Sequence, residues 1–589
     1  MRRLLLALAA LLAFSLMMDA VPAKRGQILY TQPDGTRIAL FRHGDEFGHW
    51  TTDVHGNVVR RDTDGFYRTV GAGEGLSVRQ RAVRRRSASH ARRAARAEEH
   101  VALGQKHFLV ILVEFQDKVF VEDDPQDAFT RLLNEPGYGE NGGTGSARDF
   151  YYDNSHGVFE PIFDVFGPVK LNNKYSYYGG NDSDGYDLRP EQALIDGCRG
   201  LDADIDFSRY DNDGDGAVDL VFMYYAGYGE ADSSDEDSIW RHQWDLTDAG
   251  SSLSLDGVAI DRYACSNELN ASDVMGGIGT VCHEFGHAMG LPDMYDTDGE
   301  SNGSAEGLYD FSTMCGGCYN NDSRTPPYFN IEERIILGWL DESVYSGFEK
   351  TGTYTLAPVD GNVAYRTLTD MEGEYFVYEN RSPVGWDAHL PAFGMLAYHV
   401  DKSSREVYRG VTARDLWESW GWYNAINASG SHPCFYVVPA KDPTNLGYGR
   451  RYYSGYGYYF QQDLYKYLPF PGGATSYTPE SWNGVQGDIS FDDISYGNNL
   501  VTLQAYVPSG ELDFCFIADK GPYRAGDRFT FALVEPEEGT HPDAVVWYFD
   551  DEPAGADSVT LTTGKHVVEA RLSSAGGRTE CVTLEITVD

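Results

Sequence analysis

The stretch Val281-Cys-His-Glu-Phe-Gly-His-Ala-Met-Gly-Leu-Pro-Asp293 constrains this chain more than any other. Its His283-Glu284-x-x-His287 spacing puts two imidazoles one turn apart on one face of a helix, where both can meet a single metal ion. Ile278, Val281, Phe285 and Met289 recur at helical spacing on the opposite side, so the segment reads as a helix with a dry face and a metal face. Chance is a poor rival. With 15 His in 589 residues, roughly 0.06 such matches are expected even when any acidic residue is accepted at the middle position.

A catalytic Zn²⁺ site takes three protein ligands and keeps a fourth position open, so two histidines do not complete it. Gly290 can end the helix in a left-handed conformation and turn the chain back. Asp293, six residues after His287, then becomes the candidate third ligand. Glu284, next to the first histidine and not itself a ligand, would take the proton from the zinc-bound water as it attacks a carbonyl and pass it to the leaving amine. The competing reading is a pair of core or surface histidines.

At 589 residues the chain has a prior of about four structural units. Hydrophobic residues make up 42%, with 40 Tyr, 29 Phe and 10 Trp, which excludes wholesale disorder. The net charge of -43 is unevenly placed, +9 over residues 1–97 and -52 beyond them. So acidic a body repels phosphate backbones and anionic lipid, which argues against nucleic-acid partners and makes divalent cations the natural counter-charge.

Arg2-Arg3, the apolar run Leu4 to Met18 and then Asp19-Ala20-Val21-Pro22-Ala23 follow the order of a secretory signal peptide, with cleavage after Ala20 or Ala23. The mature chain is expected to be secreted. No later stretch approaches 18 consecutive apolar residues, so membrane insertion is not expected. Residues 24 to 78 are punctuated by Asp34-Gly35, His55-Gly56 and Asp64-Gly65, as in small hairpins, and eight Arg between Arg79 and Arg96 read as an exposed linker open to trypsin-like proteases. Phe108 to Phe115 and Leu220 to Tyr225 suit strands buried on both faces.

The expected organisation is a leader over 1–23, a β-rich segment with its basic linker over 24–97, and an α+β unit over 98–345 that carries the metal helix. Two β-rich units follow, over 346–508 and 509–589, the last an Ig-like or PKD-like sandwich. All eight cysteines lie at or beyond Cys198; Cys315-Gly-Gly-Cys318 reads as a tight disulfide, a pair of free thiols or part of a metal site, with the disulfide favoured, and Cys515 and Cys581, near the two ends of the last unit, are the other candidate pair.

Asp211-Asn-Asp213-Gly-Asp215-Gly216-Ala217-Val-Asp219 places carboxylates at positions 1, 3, 5 and 9, a backbone carbonyl at 7 and Gly at 6, the spacing of a Ca²⁺ loop. Position 12 is Phe222 rather than Glu, and a strand follows instead of a helix. The missing ligand would come from elsewhere, with Asp206, Glu230 and Asp232 as candidates. A bare Asp/Gly turn is the alternative.

With these residues in view the chain resembles the metzincin-like, exported zinc endopeptidases of the immune inhibitor A family. Matching stretches are His283, Glu284, His287, Gly290 and Asp293, then Leu308-Tyr-Asp-Phe-Ser-Thr-Met314-Cys-Gly-Gly317, similar to the Met-turn beneath the zinc of that clan. Thr325-Pro-Pro-Tyr-Phe-Asn330 and Ile336-Leu-Gly-Trp339 resemble the helix that closes the family's catalytic domain. Gly44-Asp-Glu-Phe47, Glu379-Asn-Arg381 and His399-Val-Asp401 extend the likeness over most of residues 24 to 508.

The resemblance implies zinc on His283, His287 and Asp293, Glu284 as general base, and protein or peptide substrates. Many metzincins support the oxyanion with a Tyr two residues after the Met-turn Met; here that position is Gly316, and Tyr319 is the nearest substitute. Residues 24–97 are implied to be a pro-segment, released when an activating protease cuts the 79–97 linker. No cysteine precedes Cys198, so the zinc would be blocked by Asp45, Glu46 or His49, unless the segment only covers the cleft or assists folding. A different class of reading is a calcium-stabilised secreted binding or adhesion protein whose zinc site is non-catalytic.

Overall fold

The computed structural model describes residues 23–24, 27–45, 48–70 and 102–508, the last range without 183–186, 234, 271–272, 298–304, 306, 409, 420–423 and 443–461. Of residues 509–589 it describes 515–518, 522–534, 544–550, 552–554, 558–573 and 579–589. The leader and the arginine-rich linker lie outside the described residues.

Residues 28–69 form an antiparallel meander of β1 (Ile28–Thr31), β2 (Arg37–Asp45), β3 (Gly48–Asp53), β4 (Val58–Arg61) and β5 (Tyr67–Thr69). Asp34, Asp53 and Asp64 make the turns by accepting backbone N–H groups two residues on. Among the described residues the buried hydrophobic core of this sheet is Leu40, Val59 and Tyr67, with Ile28, Tyr30 and Ile38 half-buried against it. That is too little apolar area to offset the entropy of ordering about forty residues, so the sheet depends on what it leans against.

The centre of the molecule is a five-stranded sheet in the order β7-β6-β8-β12-β9. Here β6 is Gly104–Glu114, β7 Phe159–Lys170, β8 Val221–Tyr228 and β9 His242–Asp245; a small hairpin, β10 (Leu253–Leu255) and β11 (Val258–Ile260), precedes β12 (Arg262–Leu269). Four strands are parallel, and β9 pairs antiparallel with β12 at the edge. The period-2 rule accounts for the apolar run in β6. Phe108, Val110 and Leu112 enter one core cluster while Leu109, Ile111 and Val113 enter the other.

Helices cover both faces. On one side α1 (Pro125–Asn134), α2 (Ala147–Asn154) and the metal-face helix, named α4 below, pack on the first cluster; on the other lies α3 (Pro190–Leu201), burying Ala193, Leu194, Ile195 and Cys198. The unit is α+β, with helices and strands around two cores that share the sheet.

Beyond it, β13 (Tyr345–Ser346), β14 (Gly352–Leu356), β15 (Ala364–Leu368), β16 (Glu374–Arg381), β17 (Gly394–Asp401), β18 (Glu406–Tyr408), β19 (Val411–Thr412), β20 (Phe435–Val438), β21 (Ser490–Gly497) and β22 (Leu500–Tyr506) follow. They form a sheet ordered β13-β15-β16-β17-β20, a second ordered β14-β22-β21, and the β18-β19 hairpin. Val377, Leu396, Tyr398 and Val400 from this part enter the same core cluster as the metal-face helix, so the two units share one interior. In the last region a three-stranded and a four-stranded sheet contribute Phe529, Leu561, Val568, Ile586 and Val588 to one small core. Cys515 and Cys581 stand on strands of these two sheets, and their side chains lie outside the described residues. Among the described residues no helix is long and apolar enough to cross a membrane.

Two sequence expectations change here. Thr325–Asn330 leads into a helix and ends on its N-cap, and Ile336–Trp339 takes in only its last residue. The helix α5 spans Ile331–Ile336 and starts with a capping box between Asn330 and Glu333. Pro326 and Pro327 keep the preceding residues extended, and the chain leaves the helix through Gly338. Second, Cys315 and Cys318 are buried and are not joined in a disulfide. The Cys318 thiol donates to the Cys315 carbonyl at 3.3 Å, so the sulfur faces the backbone of its own tight turn.

Candidate metal centre

α4 (Gly279–Ala288) carries the motif. Its dry face is set by Phe285, which packs edge-on against Phe108, Tyr151 and Phe163 at ring distances of 4.5, 5.1 and 5.4 Å. Removing so large a buried ring would cost about 3–5 kcal/mol. The other side of α4 meets Met314 closely enough that a Cβ at Gly286 would stand 2.7 Å from its sulfur. The helix ends at Gly290, whose φ of +112° is closed to ordinary residues, and the chain folds back through Leu291 to Asp293.

His283 Nδ1 lies 2.8 Å from the Thr313 carbonyl and His287 Nδ1 2.8 Å from the Leu291 carbonyl. A carbonyl only accepts, so each Nδ1 carries the proton and each Nε2 presents a bare lone pair. Those two Nε2 atoms are 3.0 Å apart. Asp293 Oδ1 stands 3.2 Å from the first and 3.5 Å from the second, and it has no hydrogen-bond donor. All three side chains are buried.

Three electron-rich atoms turned toward one point repel unless a cation lies among them. Bonds of 2.0–2.1 Å around a tetrahedral ion imply ligand separations of about 3.3 Å, which the observed edges bracket. The donor set fits Zn²⁺. Glu284, buried on the same helix, stands next to His283; its carboxylate acts on the Cys265 and Cys318 thiols, whose pKa burial has already pushed well above the ordinary value.

Around this core are residues the motif did not reveal. Asn424 donates through Nδ2 to Asp293 Oδ2 at 2.7 Å and accepts the Asp293 backbone N–H on Oδ1 at 2.7 Å. Arg381 donates to the carbonyls of Phe311 and Tyr328 while paired with Asp387 at 2.6 Å, bracing the turn that carries Met314. Glu333 accepts from Ser312 in the same turn, and burial pushes its carboxyl up to about 7. No local signal marks Asn424, which acts 131 residues away, and although Arg381 lies in the Glu379-Asn-Arg381 stretch named above, its reach to the Phe311 and Tyr328 carbonyls, 70 and 53 residues away, is not written in that stretch. Tyr319 is half-buried, its hydroxyl accepting from Arg241 at 3.1 Å, and Arg241 also donates to Thr280 on α4.

In the second cluster, Asp211, Asp213 and Asp215 bring carboxylate oxygens within 4.8 Å of one another. Asp211 accepts from Gly214 N and Gly216 N, Asp213 from Asp215 N, and Asp215 from Ala217 N, which curls the loop around its acids. Asp219 lies outside that group, held by the Asn212 amide at 2.7 Å, and burial pushes its carboxyl up to about 6. Of the supplementary candidates, Asp206 caps the turn at Ser208, and the Asp232 side chain is outside the described residues. Glu230 is not available, because it is engaged with the N-terminal sheet.

That engagement is the main contact of residues 23–69 with the body. Arg42 Nη1 pairs with Glu230 Oε1 at 2.9 Å, both side chains almost fully buried, and Arg42 Nη2 donates to the Ser233 carbonyl. His49 Nε2 lies 3.1 Å from the same oxygen, its ring stacked on Trp240 at 4.3 Å. Arg61 with Asp237 and Tyr67 with Glu236 extend the contact. His49 therefore does not join the three metal-facing side chains; Glu230 and Trp240 claim it. The side chains of Asp45 and Glu46 lie outside the described residues.

A mixed sheet over a helix bearing two imidazoles and a bend carboxylate is an arrangement that could hold a metal ion. Residues 97–330 match the sequence profile of the Immune inhibitor A peptidase M6 catalytic domain. The chain is 26% identical to Immune inhibitor A of Bacillus thuringiensis subsp. alesti over 268 residues, 38% of each protein. It is 25% identical over 232 residues to the pre-pro-metalloprotease PrtV of Vibrio cholerae serotype O1 (strain M66-2), covering 35% of this chain and 25% of that one. It thus spans well under half the length of either relative. A superposition on wild-type OgpA from Akkermansia muciniphila covers 83% of this chain and 95% of that one at 10% identity, but its TM-score of 0.23 carries no argument.

Proposed function

We propose that the chain is a secreted zinc-dependent endopeptidase made in a latent form, with His283, His287 and Asp293 as metal ligands and Glu284 as general base. The observation that carries this is the convergence of the two Nε2 atoms and Asp293 Oδ1 at 3.0–3.5 Å. A zinc ion held there supplies a Lewis acid that polarises a carbonyl and lowers the pKa of a bound water.

The chain's own groups do the rest. The two Nδ1–H bonds to Thr313 and Leu291 lock each ring in the tautomer that leaves Nε2 free. Glu284 takes the proton of the attacking water and returns it to the nitrogen of the departing peptide. The outer edge of β9, which among the described strands pairs only with β12, offers backbone groups to an extended peptide chain. Arg241, just before β9, ties that edge to α4 through Thr280.

Residues 24–97 act as the pro-segment, covering the 230–240 region until a protease cuts the 79–97 linker. The contacts of Arg42, His49, Arg61 and Tyr67 support covering rather than direct blockade by His49. Units over 98–345, 346–508 and 509–589 follow, as the sequence suggests. The test is metal analysis and cleavage-site mapping on the full-length chain after cutting in the linker. One zinc per chain and internal cuts in casein are expected; metal-free material, or zinc with no cleavage, sinks the reading.

The Asp211–Asp219 loop is proposed to hold Ca²⁺ as a structural ion. A site saturated at about 100 times its Kd contributes about 2.7 kcal/mol to stability. Calorimetry with a calcium-selective chelator should therefore show a lowered melting midpoint in the wild-type chain and no response in Asp213→Asn. If the wild-type midpoint does not move, the loop is an ordinary acidic turn.

A further inference from the structure

We infer that Asn424 is a positioning residue for the ligand Asp293, so that the metal affinity of the centre is set by a loop lying outside the region that matches the peptidase family. The inference rests on the zinc reading above. A carboxylate can rotate about its Cβ–Cγ bond and exchange its oxygens, and each rotation would scatter the ligand set. Asn424 breaks that symmetry. Its Nδ2 holds Oδ2 at 2.7 Å, which leaves Oδ1 as the oxygen facing His283 and His287, and its Oδ1 accepts the Asp293 backbone N–H at 2.7 Å, pinning the residue at both ends.

The amide is a neutral donor. A lysine or arginine in its place would supply charge that competes with the metal, whereas asparagine orients the carboxylate and leaves its charge for the ion. Both partners are buried, Asn424 at 2% exposure and Asp293 at 0%, so water does not substitute for the lost bonds. Asn424 adopts φ +40°, a region asparagine tolerates better than most residues.

Its loop is clamped onto the stretch that follows α4. The Thr297 hydroxyl donates to the Asn424 carbonyl at 2.7 Å, Asn427 donates to the Met294 carbonyl at 3.1 Å and accepts from Phe435 N, and Val437 N bonds the Gly307 carbonyl. The matched region ends at residue 330, so the metal centre draws one of its supports from beyond it.

The test uses the full-length chain as wild type, Asn424→Ala, Asn424→Asp and Asn427→Ala. Each is equilibrated with graded free zinc in chelator buffers, with bound zinc counted by mass spectrometry. The metal-free melting curve and the visible spectrum of the cobalt-loaded form are recorded alongside. Loss of such a support typically weakens metal binding by about 10- to 100-fold, and that is expected for Asn424→Ala.

Asn424→Asp keeps the shape of the residue and leaves no cavity, and its metal-free melting curve shows whether it is folded. It should weaken zinc at least as much, because a carboxylate would face Asp293 Oδ2. Asn427→Ala, which loosens the loop but touches no ligand, should weaken zinc clearly less than Asn424→Ala. Wild-type affinity in both Asn424 variants overturns the inference. So does an equal loss in Asn427→Ala, since loop packing would then be the cause. A wild-type chain that takes up no zinc overturns the peptidase reading itself, a result the other arms do not mimic.

Discussion

With Glu284 replaced by alanine, the linker-cut chain should retain its zinc and lose peptide hydrolysis by about 10²- to 10⁴-fold, the range that a positioned proton-transfer group contributes. The three atoms that face one another belong to His283, His287 and Asp293, and Glu284 is not among them, so metal content should not change. The carboxylate is buried on α4 beside the first histidine, where no exposed acid can replace it. Casein hydrolysis and zinc stoichiometry measured on the same preparation check this. Equal hydrolysis by wild type and variant would end the assignment of Glu284, and loss of both zinc and activity would show that the residue serves the site's structure instead.

A second large effect is expected at the N-terminal sheet. Removing one partner of a buried ion pair costs about 3–5 kcal/mol, because the other charge stays buried without its counter-ion. In Arg42→Gln, Glu230 keeps the Asn181 amide, which contacts both its oxygens at 3.1 Å, but loses the guanidinium at 2.9 Å. Once the linker is cut, the hold of residues 24–69 on the body should weaken by roughly 10²- to 10³-fold. Size-exclusion chromatography after cutting would show the segment co-eluting in wild type and lost in Arg42→Gln, with hydrolysis appearing sooner.

Arg61→Gln removes a pair with Asp237 that is partly exposed, 24% and 42% for the two side chains, so it should shift retention by no more than about 1 kcal/mol. Retention of the segment in Arg42→Gln at the wild-type level would show that the other contacts suffice and that Arg42 is not the anchor.

Much of the centre was legible in the primary structure because its parts are local. Two histidines four apart and a glycine before an aspartate describe a helix and a bend whose geometry hardly depends on the rest of the molecule. The runs in β6 and β8 were legible for a related reason, since a strand buried on both faces has no choice but to be apolar at every position. The aspartates of the hairpin turns announced themselves by bonding their own backbone.

Other features were invisible to that kind of reading. Glu230 looked like a spare calcium ligand near an acidic loop, yet it bonds Arg42, 188 residues away. Cys315 and Cys318 looked like a disulfide, yet the thiol turns to a carbonyl. Asn424 had no motif at all.

What the sequence by itself determined is which donors exist and that a helix and a bend can gather them: two imidazoles, one carboxylate and a neighbouring acid, all within eleven residues. What only the tertiary structure decided is which carboxylate oxygen faces the histidines, what supports the turn under Met314, and which acid receives the N-terminal sheet. The physical reason is range. Helical periodicity and turn chemistry act over a few residues, whereas a buried hydrogen bond or ion pair is made only after chain segments 70 to 188 residues apart have packed and excluded the water that would otherwise have taken its place.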